Sequence, residues 1–178
     1  GHCEYDWDFV GSDIDLVSIN SAKKIVKNNN LSVNIRHQKN GNHIFDGIID
    51  TNEKFDITVC NPPFHASQSE AMAANMKKIK NLKGEKPKKP NLSFGGKNNE
   101  LWCEGGELRF IKNMIKESQK FKENVLWFSS LVSKHGNLKN IYLTLKKVEA
   151  FDVKTIPMGQ GNKSSRIVAW TYHNPNQR

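Results

Sequence analysis

The chain has little cysteine and no long apolar stretch, and both absences narrow what it can be. Its three cysteines are odd in number and form no C-x-x-C pair, so neither a disulfide framework nor a zinc site is indicated. No run approaches the roughly 20 apolar residues that span a bilayer, and no charged and then apolar secretory leader opens the chain. We therefore expect a cytoplasmic protein with no membrane contact and no metal site.

Acidic residues are also in the minority, which leaves the chain strongly basic. There are 18 acidic residues against 27 lysines and arginines, for a net charge of +9. A basic protein favours polyanionic partners because each neutralised phosphate releases counterions. Basic proteins that bind no nucleic acid are common, so charge alone leaves the class of partner open. The length of 178 residues predicts a single domain over residues 1–178.

The apolar pattern predicts strands that alternate with helices. The expected strands are residues 9–11, 33–37, 55–60, 125–129, 151–156 and 167–172, and helical apolar stripes run over 19–26, 108–118 and 138–148. Such alternation indicates an α/β fold with a mostly parallel sheet covered on both faces, and the last two strands read as a hairpin.

The most specific local signal is Asn61-Pro62-Pro63-Phe64, called here the NPPF segment, which follows the apolar run 55–60. Two prolines end strand pairing, and Pro62 keeps Asn61 out of helical conformation. The Asn61 amide, the Pro62 carbonyl and the Phe64 ring can then offer two acceptors and an aromatic face to an amino group on a flat ring. We interpret the segment as a pocket for a nucleobase amine. A proline-stiffened loop that begins with a turn-forming asparagine is the plainer alternative.

The sequence around this segment resembles a known family. The run from Cys60 to Ser67 resembles motif IV of the amino-group methyltransferases that use S-adenosylmethionine. Other stretches resemble the bacterial 23S ribosomal RNA adenine-N6 methyltransferases, which share their catalytic-domain pattern with the eukaryotic enzyme that methylates adenosine in a spliceosomal small nuclear RNA. These stretches are Gly95-Gly96, Glu100 to Glu107, Trp127 to Leu131, and Gly159-Gln160-Gly161 through Trp170. The resemblance covers nearly the whole chain.

The resemblance implies transfer of a methyl group from S-adenosylmethionine to the exocyclic N6 amine of an adenine in 23S ribosomal RNA. It implies a Rossmann-like methyltransferase sheet, mostly parallel, with a C-terminal antiparallel hairpin. Asn61, Pro62 and Phe64 are the expected catalytic residues. Acceptors at Asn61 and Pro62 favour withdrawal of the nitrogen lone pair from the ring, and Phe64 stacks on a base turned out of its own stack. We expect His65 to be structural.

The resemblance also implies a cofactor site. Asp13, at the end of an expected strand, is the expected acceptor of both ribose hydroxyl protons. Asp15 is equally well explained as the cap of the following helix. Ile14 is expected against the adenine ring and Gln38 at the adenine edge, and Asn61 is counted among the cofactor contacts as well.

A family member should contain, upstream of Phe9, a central strand and a glycine-rich turn for the methionine end of the cofactor. The glycines at 159 and 161 cannot take that part, because they lie between two expected strands. We therefore expect a sheet that lacks its first, central strand. We also expect the chain to be the C-terminal part of a longer catalytic domain and to be inactive alone.

Residues 77–97 contain eight lysines and one acid, and Pro87 and Pro90 deny them a continuous helix. We expect a basic loop that holds RNA phosphates and need not be ordered without RNA; a merely solubilising lysine run is the alternative. The expected RNA contacts are Lys77, Lys78, Lys80, Lys83, Lys86, Lys88, Lys89, Lys163 and Arg166. The expected partner is 23S ribosomal RNA or a ribosomal assembly particle, bound by a monomer.

Two rival interpretations stay open. A DNA adenine or protein glutamine methyltransferase would share the NPPF segment, but neither predicts the Glu104-Gly105-Gly106-Glu107 block. A noncatalytic RNA-binding fragment is compatible with the basic loop, but the intact amine pocket argues against it.

Overall fold

The structure is a computed structural model that describes residues 1–73, 76, 101–160 and 163–177. These residues fall into two compact units, 1–53 and 54–178. The basic segment 77–97 lies outside the described residues, so its loop character and RNA contacts stay predictions, as does the single domain. None of the described helices is long and apolar enough to cross a membrane.

The first unit is a strand-helix-strand arrangement. Its elements are α1 (His2–Tyr5), β1 (Phe9–Asp13), α2 (Leu16–Asn28) and β2 (Val33–His37). The two strands are parallel, with Phe9 opposite Val33 and Asp13 opposite His37, and α2 supplies the crossover that a parallel pair requires. The Asp15 carboxylate accepts the first backbone N–H groups of α2, which confirms that Asp15 is a helix cap.

An ion pair ties β2 to the turn that ends this unit. Arg36 donates to both carboxylate oxygens of Glu53 and to the carbonyl of Ile48, and the Asp50 backbone N–H donates to Glu53 at 2.9 Å. The Arg36 hydrogen bond, followed by the Asp50 N–H, lowers the pKa of Glu53 to about 2. The turn is therefore held to the strand by a carboxylate that stays ionised well below neutral pH.

The second unit is a four-stranded mixed sheet with two helices. Its elements are β3 (Phe55–Thr58), α3 (Gly106–Ser118), β4 (Val125–Val132), α4 (Leu138–Lys147), β5 (Asp152–Gln160) and β6 (Lys163–Thr171). The strand order is β3-β4-β6-β5. β3 and β4 are parallel, and β6 is antiparallel to both β4 and β5. The predicted terminal hairpin is confirmed.

The hairpin is longer than the sequence predicts. Pairing runs from Asp152 opposite Thr171 to Gln160 opposite Lys163, so Gly159 and Gln160 continue β5 instead of forming a loop. Pro157 lies within the strand because β5 is at the edge of the sheet, where a missing N–H leaves no partner unsatisfied.

The core of this unit lies where α3 and α4 cover the sheet. Phe128 and Trp170 stack with ring centroids 5.7 Å apart, and the Trp170 indole N–H donates to the Ser118 hydroxyl of α3 at 3.0 Å. Apolar residues that are at most 1% exposed in this unit are Ile111, Met114, Ile115, Val125, Phe128, Val132, Ile141, Leu145, Val168 and Trp170. Burial of these side chains stabilises the unit.

The described strands form two separate sheets. β1 pairs only with β2, and β3 pairs only with β4, among the residues that the structure describes. Each of these strands therefore leaves one edge without a partner in the described part of the chain. The predicted α/β fold, with parallel strands and a C-terminal antiparallel hairpin, is confirmed, and the lack of a first, central strand stays a prediction.

Candidate active site

The NPPF segment leaves the sheet at the carboxyl end of β3. The Thr58 carbonyl accepts from the Ser129 hydroxyl at 2.7 Å, and the Cys60 carbonyl accepts from the Leu131 N–H at 2.9 Å. Contact with β4 therefore continues up to the residue before Asn61. Burial raises the pKa of the Cys60 thiol to about 11, so this cysteine is a packed residue and not a nucleophile.

Within the segment the two prolines are buried, Phe64 is half-buried and Asn61 is exposed. The buried rings fix the backbone, while the Asn61 amide faces solvent and makes no hydrogen bond to the described residues. A rigid backbone that carries an available amide oxygen is what an amine acceptor requires. The arrangement is compatible with the predicted roles of Asn61, Pro62 and Phe64, which stay predictions.

The residue after the segment is held through its backbone. The His65 N–H donates to the Leu101 carbonyl and the His65 carbonyl accepts from the Cys103 N–H, both at 3.1 Å. His65 thereby forms a parallel bridge with Trp102. The predicted structural role of His65 has a clear basis in these contacts.

A helix cap follows immediately. Residues 68–73 are helical; the Ser67 hydroxyl accepts from the Glu70 N–H at 3.2 Å, and the Glu70 carboxylate accepts from the Ala66 N–H at 2.8 Å. The Ala66 N–H is the main cause of the lowered pKa of Glu70, with Lys134 and His65 as smaller ones. This anchor was not predicted from the sequence, although the spacing of Ser67 and Glu70 is that of a capping box.

Asp13 and Ile14 lie at the carboxyl end of β1. One Asp13 carboxylate oxygen accepts from the Asp15 N–H at 2.8 Å, and within the described residues the other oxygen has no hydrogen-bond partner. The Ile14 side chain is 44% exposed, and the His37 ring contacts its carbonyl at 3.2 Å. An available carboxylate oxygen beside an exposed apolar side chain fits a ribose hydroxyl and the face of an adenine ring, so these two residues fit the predicted cofactor.

Gln38 is at the same edge, but its side chain is already used. It is 6% exposed, its amide nitrogen donates to the Asp46 carbonyl at 2.8 Å, and its amide oxygen accepts from the Asn40 N–H at 2.9 Å. Both ends of the amide hold the loop that follows β2. The predicted contact of Gln38 with the adenine edge has no support in this geometry.

Of the predicted RNA contacts, the structure describes the side chain of Arg166 alone. Arg166 lies on β6 and is only 8% exposed. This burial disfavours a contact with a phosphate. Lys163 begins β6, and its side chain is outside the described residues. Asp13, Ile14 and Gln38 belong to the first unit, and the NPPF segment belongs to the second.

Comparison with known proteins identifies close relatives. A family model described as RNA methyltransferase matches residues 1–174. Ribosomal RNA large subunit methyltransferase F of Bacteroides thetaiotaomicron is 55% identical over 175 residues, which are 97% of this chain and 57% of that protein. The protein of the same name from Pseudomonas putida (strain W619) is 51% identical over 182 residues, covering 100% of this chain and 58% of the relative. The chain thus spans a little over half the length of these relatives.

Solved structures agree on the fold. The hMettl16 catalytic domain in complex with the MAT2A 3'UTR hairpin 1 aligns with a TM-score of 0.79 and 27% identity, over 98% of this chain and 59% of that one. The N-terminal domain of human METTL16 in complex with SAH aligns with a TM-score of 0.70 and 23% identity, over 98% and 55% of the two chains. The family match over residues 1–174, in agreement with the two relatives that are more than 50% identical, shows that the chain belongs to the RNA methyltransferase family.

Proposed function

We propose that this chain is part of an enzyme that transfers a methyl group from S-adenosylmethionine to the N6 amine of an adenine in 23S ribosomal RNA. The observation that carries the proposal is the NPPF segment at the carboxyl end of a parallel strand. Its asparagine is exposed, and the two prolines that follow are buried. Ligands of open α/β sheets bind at this end of the strands. The names of the relatives support ribosomal RNA over DNA or protein as substrate.

Asp13 and Ile14 are the residues of this chain that would hold the cofactor. The available Asp13 oxygen would accept a ribose hydroxyl proton, and the exposed Ile14 side chain would lie against the adenine. When bound, S-adenosylmethionine supplies an electrophilic methyl group on a sulfonium. Gln38 would act indirectly, by holding the loop after β2 in shape.

Asn61 and Pro62 would receive the target amine. The Asn61 side-chain oxygen and the Pro62 carbonyl would accept its two hydrogens and favour rotation of the nitrogen lone pair out of conjugation with the ring. Positive charge develops on this nitrogen during transfer, and both acceptors stabilise it more than they stabilise the neutral amine. His65, clamped through its backbone, is not needed as a base, because the methylated nitrogen can release its proton to water.

Phe64 would stack on the target base. A base within a helix or a stacked loop must be turned out before it can enter such a site. The lysines of residues 77–97 would hold the flanking phosphates, as the charge of that stretch suggests. The substrate would be 23S ribosomal RNA, free or in an assembly particle.

The substrate class can be tested with the full-length gene product and labelled S-adenosylmethionine. Unmodified 23S ribosomal RNA, duplex DNA of the same sequence and glutamine-containing peptides are offered in parallel, and products are digested and separated. We expect label in RNA alone, recovered as N6-methyladenine. Label in DNA or peptide would give the site to one of the rival methyltransferases, and RNA binding without transfer to any substrate would establish a noncatalytic RNA-binding protein.

A further inference from the structure

Glu107 is a buried carboxylate at the start of α3 with an unusual number of partners. It is 1% exposed and accepts from the Ser133 N–H at 2.6 Å, the Ser133 hydroxyl, the Lys134 N–H at 3.2 Å and the Asn137 side-chain N–H at 2.6 Å. Both of its oxygens are used. Since a buried carboxylate is very costly without such donors, the four hydrogen bonds make Glu107 a fixed point of the structure.

The donors of these bonds belong to the segment 133–137, which directly follows β4. The same strand, through Ser129 and Leu131, holds the carbonyls of Thr58 and Cys60 just before the NPPF segment. Glu107 therefore attaches the start of α3 to the segment that directly follows the strand bonded to Thr58 and Cys60.

Gly106, the residue before Glu107, lies against the two residues that follow the NPPF segment. A Cβ on Gly106 would lie 3.2 Å from the Ala66 nitrogen and 3.3 Å from the His65 carbonyl carbon, and its φ of +62° is one that residues with side chains rarely adopt. The backbone of α3 thus begins directly against the backbone of His65 and Ala66. Gly106 therefore lies against residues 65–66, directly after the NPPF segment, and Glu107 binds residues 133–137, directly after the strand that contacts the residues before that segment.

An ordinary role for an acid at a helix start does not explain Glu107. Acids in the first turn are stabilised by the helix dipole while exposed. Glu104, which lies just before the N-cap Gly105, by contrast has a side chain that is 84% exposed and pairs with Arg109 at 2.6 Å. The complete burial of Glu107 indicates a connection between chain segments instead.

We propose that Glu107 is a positioning residue for methyl transfer. Fixed to residues 133–137, it keeps Gly106 pressed on His65 and Ala66 and so sets the orientation of Asn61 and Phe64. The kinetic consequence rests on the proposed function, whereas the positioning of the segment can be measured without it.

The kinetic test is Glu107→Gln in the full-length protein, with Glu104→Gln as the matched control. Glutamine keeps one oxygen acceptor but turns an N–H₂ group toward the Lys134 and Asn137 donors, so the attachment loosens while the volume is unchanged. We expect kcat to fall roughly 10- to 100-fold, since a misplacement of about 1 Å can cost 100-fold. KM for RNA and Kd for S-adenosylmethionine should stay within about threefold, because neither ligand touches Glu107. Glu104→Gln should match the wild type.

The positional test is hydrogen exchange of backbone amides in the same variants. We expect Glu107→Gln to speed exchange at His65 and Ala66 about tenfold while Val168 and Trp170 in β6 keep their rates, a difference that general destabilisation cannot produce. If Glu107→Gln does not fold, Ser133→Ala is measured in its place. This variant removes one donor only, and we expect it to give a smaller increase in the exchange rates of His65 and Ala66. Equal acceleration at all four amides, or unchanged rates together with unchanged kcat, would overturn the proposal. Since exchange needs no substrate, it decides the positioning even if ribosomal RNA is not methylated.

Discussion

At the scale of single residues, the proposed chemistry depends on few atoms. The Asn61 side chain is exposed while the prolines that follow it are buried, so an acceptor is presented on a backbone that cannot adjust. The second acceptor, the Pro62 carbonyl, cannot be removed by substitution. Tests of the site by mutation therefore rest on Asn61 and Phe64.

Phe64→Ala should lower kcat/KM on ribosomal RNA by roughly 5- to 150-fold. This range corresponds to a base-aromatic stacking contribution of about 1–3 kcal/mol. Phe64→Tyr keeps the ring and should lose less than about threefold, and single-turnover assays on the same RNA compare the two variants. Full activity of Phe64→Ala, or an equal loss in Phe64→Tyr, would contradict a stacking role.

The role of a residue was predictable where its partners are close in the sequence. It was not predictable where its partners are distant in the sequence. The Asp15 cap and the proline-fixed NPPF segment follow from neighbours in sequence. The role of Glu107 was not predicted, because its partners lie 26 to 30 residues further along the chain. Gln38 was assigned to the cofactor from its position after a strand, but the sequence could not reveal that both ends of its amide would be bonded within its own loop.

At the scale of elements, both candidate sites lie at the carboxyl ends of parallel strands. Asp13 ends β1 next to β2, and the NPPF segment follows β3 next to β4. Loops at these ends are not constrained by the sheet ladder, so they can carry side chains for binding while the strands give them a rigid base.

The attachment of β2 to the 48–53 turn should make stability depend on pH. The folded-state pKa of Glu53 is lowered to about 2, so its contribution is present above the ordinary value near 4.5 and is lost as pH falls from there toward 2. We expect the wild type to be about 1 kcal/mol more stable than Glu53→Gln at pH 7, and the difference to shrink between pH 4.5 and 2. Urea unfolding of both proteins at pH 7, 4 and 3 measures it.

Glu53→Gln serves as the control for all other titrating groups, because only the titration of residue 53 is absent from it. A constant difference in stability across the three pH values would show that Arg36 does not lower the pKa of Glu53 in the folded protein. A stability difference that grows as pH falls would have the opposite pH dependence to the one expected, and it would contradict the ion pair.

The strands and helices were largely predictable because their apolar periodicity is strong. Three differences are the unpredicted α1, the extension of β4 to Val132 and the extension of β5 past Ile156, which is hidden by Pro157. A proline usually marks the end of a strand in sequence, and its tolerance here depends on the edge position, which is a property of the assembled sheet.

At the scale of the whole molecule, the described residues hold two candidate sites, one in each unit. The first carries an available carboxylate beside an apolar side chain, and the second carries the rigid amine acceptor. The chain spans 57% to 58% of two close relatives, so the activity proposed here is that of the full-length protein. The net charge of +9 indicated a polyanionic partner, but charge alone carries no information about which RNA is bound.

The most direct test of the central claim is a map of N6-methyladenine in large-subunit ribosomal RNA from cells that lack the gene. The cells are complemented with the wild type, with Asn61→Ala, or with Asn140→Ala, which changes an exposed asparagine of α4. We predict that the wild type and Asn140→Ala restore one N6-methyladenine and that Asn61→Ala, expressed at the same level, does not. Restoration by Asn61→Ala, or no difference in this RNA between cells with and without the gene, would contradict the account.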